Sequence, residues 1–378
     1  MRTLARTLQR KRKVELGVTG NLSESWEEML VPEVFTKTVD GEEFIILDEP
    51  LEGKVGKVWG FCSPTGLAIL KGAKDVYGDG TFEIVKSTLF YQLWVLVARS
   101  ESNKVTVPCC YFLLPDKSFA TYTLLLSRLK ELGVTGPDVF HLDFESAAIK
   151  AVKAVFPSTA VECCDTHWKR TLRRQQQEIG LLKYSNQCVD IQQFLRLLWA
   201  LCYVPKEEVL SVYLDHVLPK MPEVDEEVDE NQEEAAEYGE ALEKFMDYFE
   251  LTWVGKVNKR TNLRGKPKFA LDLWNKFDAA ESGRDDLTNN NSEAQNSVQK
   301  MLLPMSPNIW AVLRSIKDEE SLAHAKFTAA LSGEPVDSNP GRTKARLLKA
   351  RTLTKIVRQY KELPIKTYLE AISSHFNS

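Results

Sequence analysis

Between Val76 and Leu114 three strand-length apolar runs follow one another, and from Ser118 onward helices and short strands alternate. That order constrains the chain more than any other feature. Val76 to Phe82, Leu89 to Ala98 and Val105 to Leu114 are rich in β-branched and aromatic residues and read as three successive strands. Ser118 to Leu132 reads as a helix, with Leu124, Leu125, Leu129 and Leu132 at helical spacing and Gly133 behind them as a stop. Val139 to Asp143 reads as a short buried strand. Glu145 to Val155 reads as a helix whose Ala147, Ala148, Ala151 and Ala154 let it lie close on a sheet. Val161 to Cys164 supplies a fifth strand, and Thr166 to Ile179 a basic helix ended by Gly180.

The order β-β-β-α-β-α-β-α predicts an α/β chain of ribonuclease-H-like type, a five-stranded mixed sheet flanked by helices, with strand order and handedness carried by analogy. The expected organisation is a basic N-terminal helix and lead-in (1–60), the first part of the core (61–182) and an all-α insertion (183–285). The last helices of the core (286–325) and a basic helical C-terminal extension (326–378) follow. Thr288 to Leu302 reads as a helix that closes the core. The insertion holds an apolar helix around Phe194 to Cys202 and an acidic stretch, Glu223 to Glu243, expected to be a solvated loop.

At 378 residues and 43% hydrophobic, the chain buries at least one large core. The longest apolar run, Leu89 to Ala98, contains Gln92 and is too short to span a membrane, so no membrane partner is expected. Met1 to Lys13 is basic and lacks an apolar signal core. Seven cysteines include the adjacent pairs Cys109-Cys110 and Cys163-Cys164 but no CxxC, which reads as reduced thiols rather than a zinc site. The net charge of −4 hides a segregation. Glu223 to Glu243 holds eleven acidic residues and no basic one; Arg342 to Lys366 holds nine basic residues against Glu362. Basic residues also cluster at Arg2 to Lys13 and at Lys169, Arg170, Arg173 and Arg174. Local patches set phosphate affinity more than the global balance does. Arg10-Lys11-Arg12-Lys13 reads equally as a nuclear-import signal and as a solvated helix face.

Three carboxylates fall where such a fold converges: Asp79 within the first strand, Asp143 at the end of the fourth, and Glu293 in the first turn of the late helix. An acid between Val76 and Phe82 is costly unless paired or metal-bound. Two magnesium or manganese ions about 4 Å apart, held by carboxylate oxygens, suit phosphodiester chemistry. Each residue has a plainer reading. Asp79-Gly80 suits a turn, Asp143 suits an N-cap for the helix from Glu145, and Glu293 complements a helix dipole.

Val76-Tyr77-Gly78-Asp79-Gly80-Thr81-Phe82, Val107-Pro108, and Leu114-Pro115-Asp116-Lys117 with Tyr122 form the first part of a longer pattern. Asp143-Phe144-Glu145 with Ala148, Ala151, Phe156 and Pro157, then Cys164-Asp165-Thr166-His167 with Arg170, Arg173 or Arg174 and Gly180-Leu181, continue it. Tyr248-Phe249, Trp253, Leu273-Trp274-Asn275, Thr288-Asn289-Asn290, Glu293 and Pro307-Asn308-Ile309-Trp310 complete it. This succession, over roughly residues 60–325, resembles the catalytic domain of Mutator-like element (MULE) DDE transposases. Leu287 stands where the family often has Arg, and Ala294-Gln295-Asn296 where a His commonly follows the catalytic Glu. The N-terminal zinc-binding module of many relatives has no counterpart in the cysteine and histidine pattern.

The resemblance implies that Asp79, Asp143 and Glu293 hold two Mg2+ (or Mn2+) ions and cut and join DNA at element ends. His167 is implied beside that site, orienting a carboxylate or contacting DNA, with a structural histidine as the alternative. Lys169, Arg170, Arg173 and Arg174 share one helix face, read either as solvated or as phosphate-contacting. Trp253 reads as a core residue or as a platform for a flipped base. DNA ends and target DNA are the expected partners, a homodimer is what joining two ends calls for, and the nucleus is the expected location. The alternative function is a domesticated DNA-binding or regulatory protein without catalysis. A related exonuclease would want a second carboxylate on the first strand, where Gly80-Thr81 follow Asp79.

Overall fold

In a computed structural model the apolar runs become the middle of one sheet. The structure describes residues 29–51, 53, 56–81, 90–102, 105–185, 188–223, 232–284, 308–334 and 344–375. The strands are β1 (Ile45–Pro50), β2 (Lys57–Cys62), β3 (Asp75–Thr81), β4 (Gln92–Arg99), β5 (Thr106–Leu114), β6 (Val139–Leu142) and β7 (Ala160–Cys163). The longer helices are α1 (Pro64–Gly72), α2 (Phe119–Glu131), α3 (Ser146–Val155), α4 (Asp165–Ile179), α5 (Val189–Ala200), α6 (Gln232–Phe249), α7 (Ile309–Leu331), α8 (Lys344–Arg358) and α9 (Ile365–His375).

The chain divides into two compact units, Met1–Val161 with Asn290–Gly341, and Glu162–Asn289 with Arg342–Ser378. This division falls within β7 and groups the C-terminal helices α8 and α9 with the middle of the chain. The expected N-terminal helix within 1–60 and the helix Thr288 to Leu302 lie outside the described residues.

The first unit is built on the sheet, whose strand order is β1-β2-β5-β4-β3-β6-β7. The expected α/β architecture is present, but the sheet has seven strands rather than five. The two extra ones, β1 and β2, come from the stretch read as irregular lead-in. β2 pairs antiparallel with β5, Cys62 facing Cys110, and β1 adds outside it. β3, β4 and β5 form an antiparallel run, and β6 joins β3 in parallel.

The central strands are continuous apolar runs because both faces are covered. On one face Tyr77, Leu93, Val95, Val97, Tyr111, Leu113, Trp59 and Phe61 pack with Ile309, Val312, Leu313 and Ile316 of α7, whose spacing is one helical stripe. On the other, Trp94 packs against Phe112, Phe140 and Tyr122. Gly78 sits on this second face, where an added Cβ would lie 2.7 Å from the Trp94 ring and 2.9 Å from Leu142. Gly78→Ala is therefore expected to lower unfolding free energy by about 1–3 kcal/mol through overpacking, read by urea denaturation.

The second unit is mostly helical among its described residues. Trp168, Trp253 and Trp274 are fully buried together, Trp168 stacked on Trp274 at 5.0 Å and Trp253 stacked on Phe269 at 5.3 Å. Part of the acidic stretch belongs to α6 rather than to a loop. Leu242, Phe245, Met246 and Phe249 recur at helical spacing and are buried, which orders the helix despite its acidic residues. Residues 224–231 lie outside the described residues. Among the described residues no helix is long and apolar enough to cross a membrane.

Candidate active site

The parallel register of β3 and β6 decides where two of the three carboxylates stand. Asp75 aligns with Val139, Val76 with Phe140 and Tyr77 with His141. Tyr77 and His141 occupy one face, their rings stacked at 4.4 Å and 11°. Asp75 fixes the imidazole through a 2.9 Å contact between its Oδ1 and His141 Nε2. Asp79 lies two residues beyond Tyr77 in β3, and Asp143 two residues beyond His141, just past the end of β6. Side chains alternate with period two along β3, so Asp79 leaves from the face that carries Tyr77.

The plainer readings of these residues lose ground. Asp79 lies inside β3, paired with Val95 of β4, and is not a turn residue. It is 6% exposed. Asp143 follows the last residue of β6 and is half-buried. The N-cap of α3 is Glu145, without a side-chain cap bond, so Asp143 does not cap that helix. Thr81, on the face of Asp79, is buried, and its hydroxyl has no hydrogen-bond partner among the described residues.

Glu145 is turned to the opposite face. The Tyr122 hydroxyl donates to Glu145 Oε1 at 3.0 Å and accepts from Gln92 Nε2 at 2.7 Å, and Lys117 lies 4.0 Å from the carboxylate. Burial raises the Glu145 pKa; Lys117 and Tyr122 oppose that shift, and Asp143 adds to it. The turn ahead of α2 is fixed by Asp116, whose Oδ1 accepts from Ser118 N at 2.9 Å and from the Thr121 hydroxyl.

Asp79 and Asp143 are oxygen donors of the kind magnesium prefers, and a buried hydroxyl lies two residues from one of them. Among the described residues no group of three or more His, Cys, Asp or Glu is placed to hold a metal ion. Glu293 lies outside the described residues.

The remaining expected site residues belong to the second unit. His167 lies in the first turn of α4, half-buried. Arg170, Arg173 and Arg174 are exposed on α4, Arg174 within 3.7 Å of Glu178. Lys169 is tied down instead: its Nζ lies 3.1 Å from Asp165 Oδ2. Trp253 is fully buried, its ring packed among Trp168, Trp274 and Phe269, and it offers no face to a base. The sequence marked the aromatic but not the three rings around it, which come from distant segments.

Sequence reasoning named Asp165 within the longer pattern but gave it no role; it is 5% exposed in the first turn of α4. Burial works to raise its pKa, but Lys169, the Tyr203 hydroxyl 3.0 Å away and Lys276 together lower it. Lys276 is itself buried and bonds Glu162 at 2.8 Å, and Arg284 reaches the same carboxylate at 3.0 Å. The available signal was an acid and a lysine four apart on a helix face otherwise bearing Trp168 and Leu172.

A family model described as the MULE transposase domain matches residues 76–171, a span that includes Asp79, Asp143 and His167. No curated protein matches the chain.

Proposed function

Because residues 76–171 carry a MULE transposase domain, we propose that the chain is the catalytic core of a DNA transposase, cutting phosphodiester bonds at element ends and joining the freed 3′-hydroxyl to target DNA. The observation that supports this reading is the parallel β3–β6 register, in which Tyr77 stands opposite His141 and Asp79 and Asp143 each follow two residues on. The order β5-β4-β3-β6-β7 inside the larger sheet, antiparallel over its first three strands and parallel between β3 and β6, supports a ribonuclease-H-like core extended by β1 and β2.

On this reading Asp79, Asp143 and Glu293 are the protein ligands of two Mg2+ or Mn2+ ions. When bound, those ions would activate the attacking oxygen and stabilise the leaving one. The chain's own contribution is placement. Asp79 is held by the paired β3 backbone and by burial, and Asp143 follows the end of β6. Side chains held on strands keep two like charges close at small cost in motion. Arg170, Arg173 and Arg174 are assigned to DNA phosphates, and His167 to DNA contact. Joining two ends calls for two copies of the chain, and Arg10-Lys11-Arg12-Lys13 is assigned as a nuclear address.

Incubating the chain with labelled DNA carrying element ends, in Mg2+, Mn2+, Ca2+ or EDTA, tests the reading. Cleavage and strand transfer are expected with Mg2+ and Mn2+ and not in EDTA. No cleavage in either metal, with no metal-dependent rise in melting temperature, would count against the enzyme.

A further inference from the structure

The second unit carries a basic hairpin that none of the expected DNA contacts includes. Gly255 to Lys268 holds Lys256, Lys259, Arg260, Arg264, Lys266 and Lys268 and no acidic residue. The segment doubles back on itself. Val257 bridges Arg264, Asn258 N donates to Leu263 O at 2.9 Å, and Gly265 N donates to Lys256 O at 2.9 Å. The turn between is organised by Asn258, whose Oδ1 accepts from Arg260 N at 2.9 Å and Thr261 N at 3.3 Å, and by Asn262 at a φ of 53°. Asparagine tolerates that left-handed backbone better than other non-glycine residues.

The root of the hairpin is built to be rigid. Gly255 has a φ of 87°, and a Cβ there would lie 2.1 Å from Gly265 O, so only glycine fits. Lys268 N and Phe269 N donate to Leu251 O and Thr252 O at 3.1 and 3.0 Å. Phe269 stacks on the buried Trp253. Trp253 thus anchors the hairpin from below.

Of the six cations, Lys268 lies over the Phe269 ring at 5.4 Å, and the other five divide into two sets. Lys256 is paired with Asp247 at 2.6 Å and Arg264 with Glu250 at 3.4 Å, and both brace the root. Lys259, Arg260 and Lys266 are exposed, and no carboxylate partner is recorded for them among the described residues. Beside them Leu263 is 69% exposed. Adjacent cations held on a rigid turn repel one another, and an ordered row of phosphates relieves that repulsion.

We propose that the hairpin Gly255 to Lys268 is a DNA-docking finger, Lys259, Arg260 and Lys266 contacting backbone phosphates and Leu263 packing against the groove between them. The assignment rests on the reading that the chain acts on DNA. Apolar groups beside phosphate-contacting cations are a recurrent groove-binding device.

The test is binding of the full chain to a labelled DNA duplex in EDTA, where no cleavage occurs, titrated at several salt concentrations. Lys259→Glu with Arg260→Glu is expected to weaken binding by at least about tenfold and to flatten the log K against log salt slope by about 1.8, two phosphates at about 0.9 each. Leu263→Ser is expected to weaken binding while leaving that slope unchanged. Circular dichroism and melting temperature report folding, and Lys259→Gln with Arg260→Gln replaces the reversal should the latter misfold. Unchanged affinity and slope in a folded variant would overturn the proposal, as would tighter binding to polyglutamate than to DNA. A chain that binds through the hairpin but never cleaves would refute the enzyme and spare the finger; the reverse result would do the opposite.

Discussion

Asp79→Asn and Asp143→Asn are each expected to abolish metal-dependent DNA cleavage and joining, by about 10³-fold or more. The magnitude follows from what the ions contribute. Several kcal/mol of charge stabilisation in the transition state, at 1.36 kcal/mol per decade, amounts to three decades or more. Each substitution keeps the side-chain shape and removes one negative charge. The metal-free variant should consequently melt at the wild-type temperature or slightly above it. Magnesium at a hundred times its dissociation constant stabilises the wild-type chain by about 2.7 kcal/mol, because it binds only the folded state, and either variant should lose most of that increment. Glu293→Gln is expected to behave alike if it is the third ligand. Glu145→Gln is the control: its carboxylate is engaged by Tyr122 and Lys117 on the other face of the sheet and should leave most activity in place. Melting curves with and without metal, run beside cleavage assays on all four variants, separate these outcomes. An inactive Glu145→Gln with an active Glu293→Gln would replace one carboxylate by the other.

Much of the sheet was legible because its middle strands are covered on both faces. Val76 to Phe82, Leu89 to Ala98 and Val105 to Leu114 overlap β3, β4 and β5, differing by at most two residues at the ends that are described. Asp79 stood out as an acid in such a run. Asp143 was named from the end of the fourth expected strand, but nothing in Val139 to Asp143 states which strand it pairs with or in which direction. The parallel register supplied that. β1 and β2 were missed for the opposite reason. Ile45–Pro50 ends in Asp48, Glu49 and Pro50, as an edge strand can, and Lys57–Cys62 follows a glycine-containing turn that resembles a loop. The hairpin at Gly255 to Lys268 escaped because its cations are spaced rather than consecutive. The signal was the absence of any acid over that stretch in a chain whose acids outnumber its bases. Trp253 shows the limit of motif reading. A conspicuous aromatic between polar segments looks available until Trp168, Trp274 and Phe269 close around it.

Asp165→Ala should be the most destabilising single change in the second unit. Removing one partner of a buried ion pair costs about 3–5 kcal/mol, because the other charge stays behind without compensation. The lower end applies, since the Lys169 side chain keeps 25% of its surface in solvent and part of its charge can rehydrate. The Tyr203 hydroxyl, buried in the same place, would lose its acceptor as well. A loss of about 3 kcal/mol is therefore expected in urea denaturation. The pH dependence has a definite sign. The folded pKa of Asp165 lies below its ordinary value of 3.8, so the contribution is present above that value and is lost as pH falls through the lower folded value. The wild-type chain should accordingly lose stability relative to Asp165→Ala only under strongly acid conditions, the two curves converging there and running parallel near neutrality. The pair can also be removed whole. Asp165→Leu with Lys169→Met replaces both charges by apolar groups, and a cycle through the single variants should return a coupling of about 1–3 kcal/mol. Destabilisation by the double variant equal to the sum of the singles would mean that Asp165 answers to Tyr203 and Lys276 rather than to Lys169.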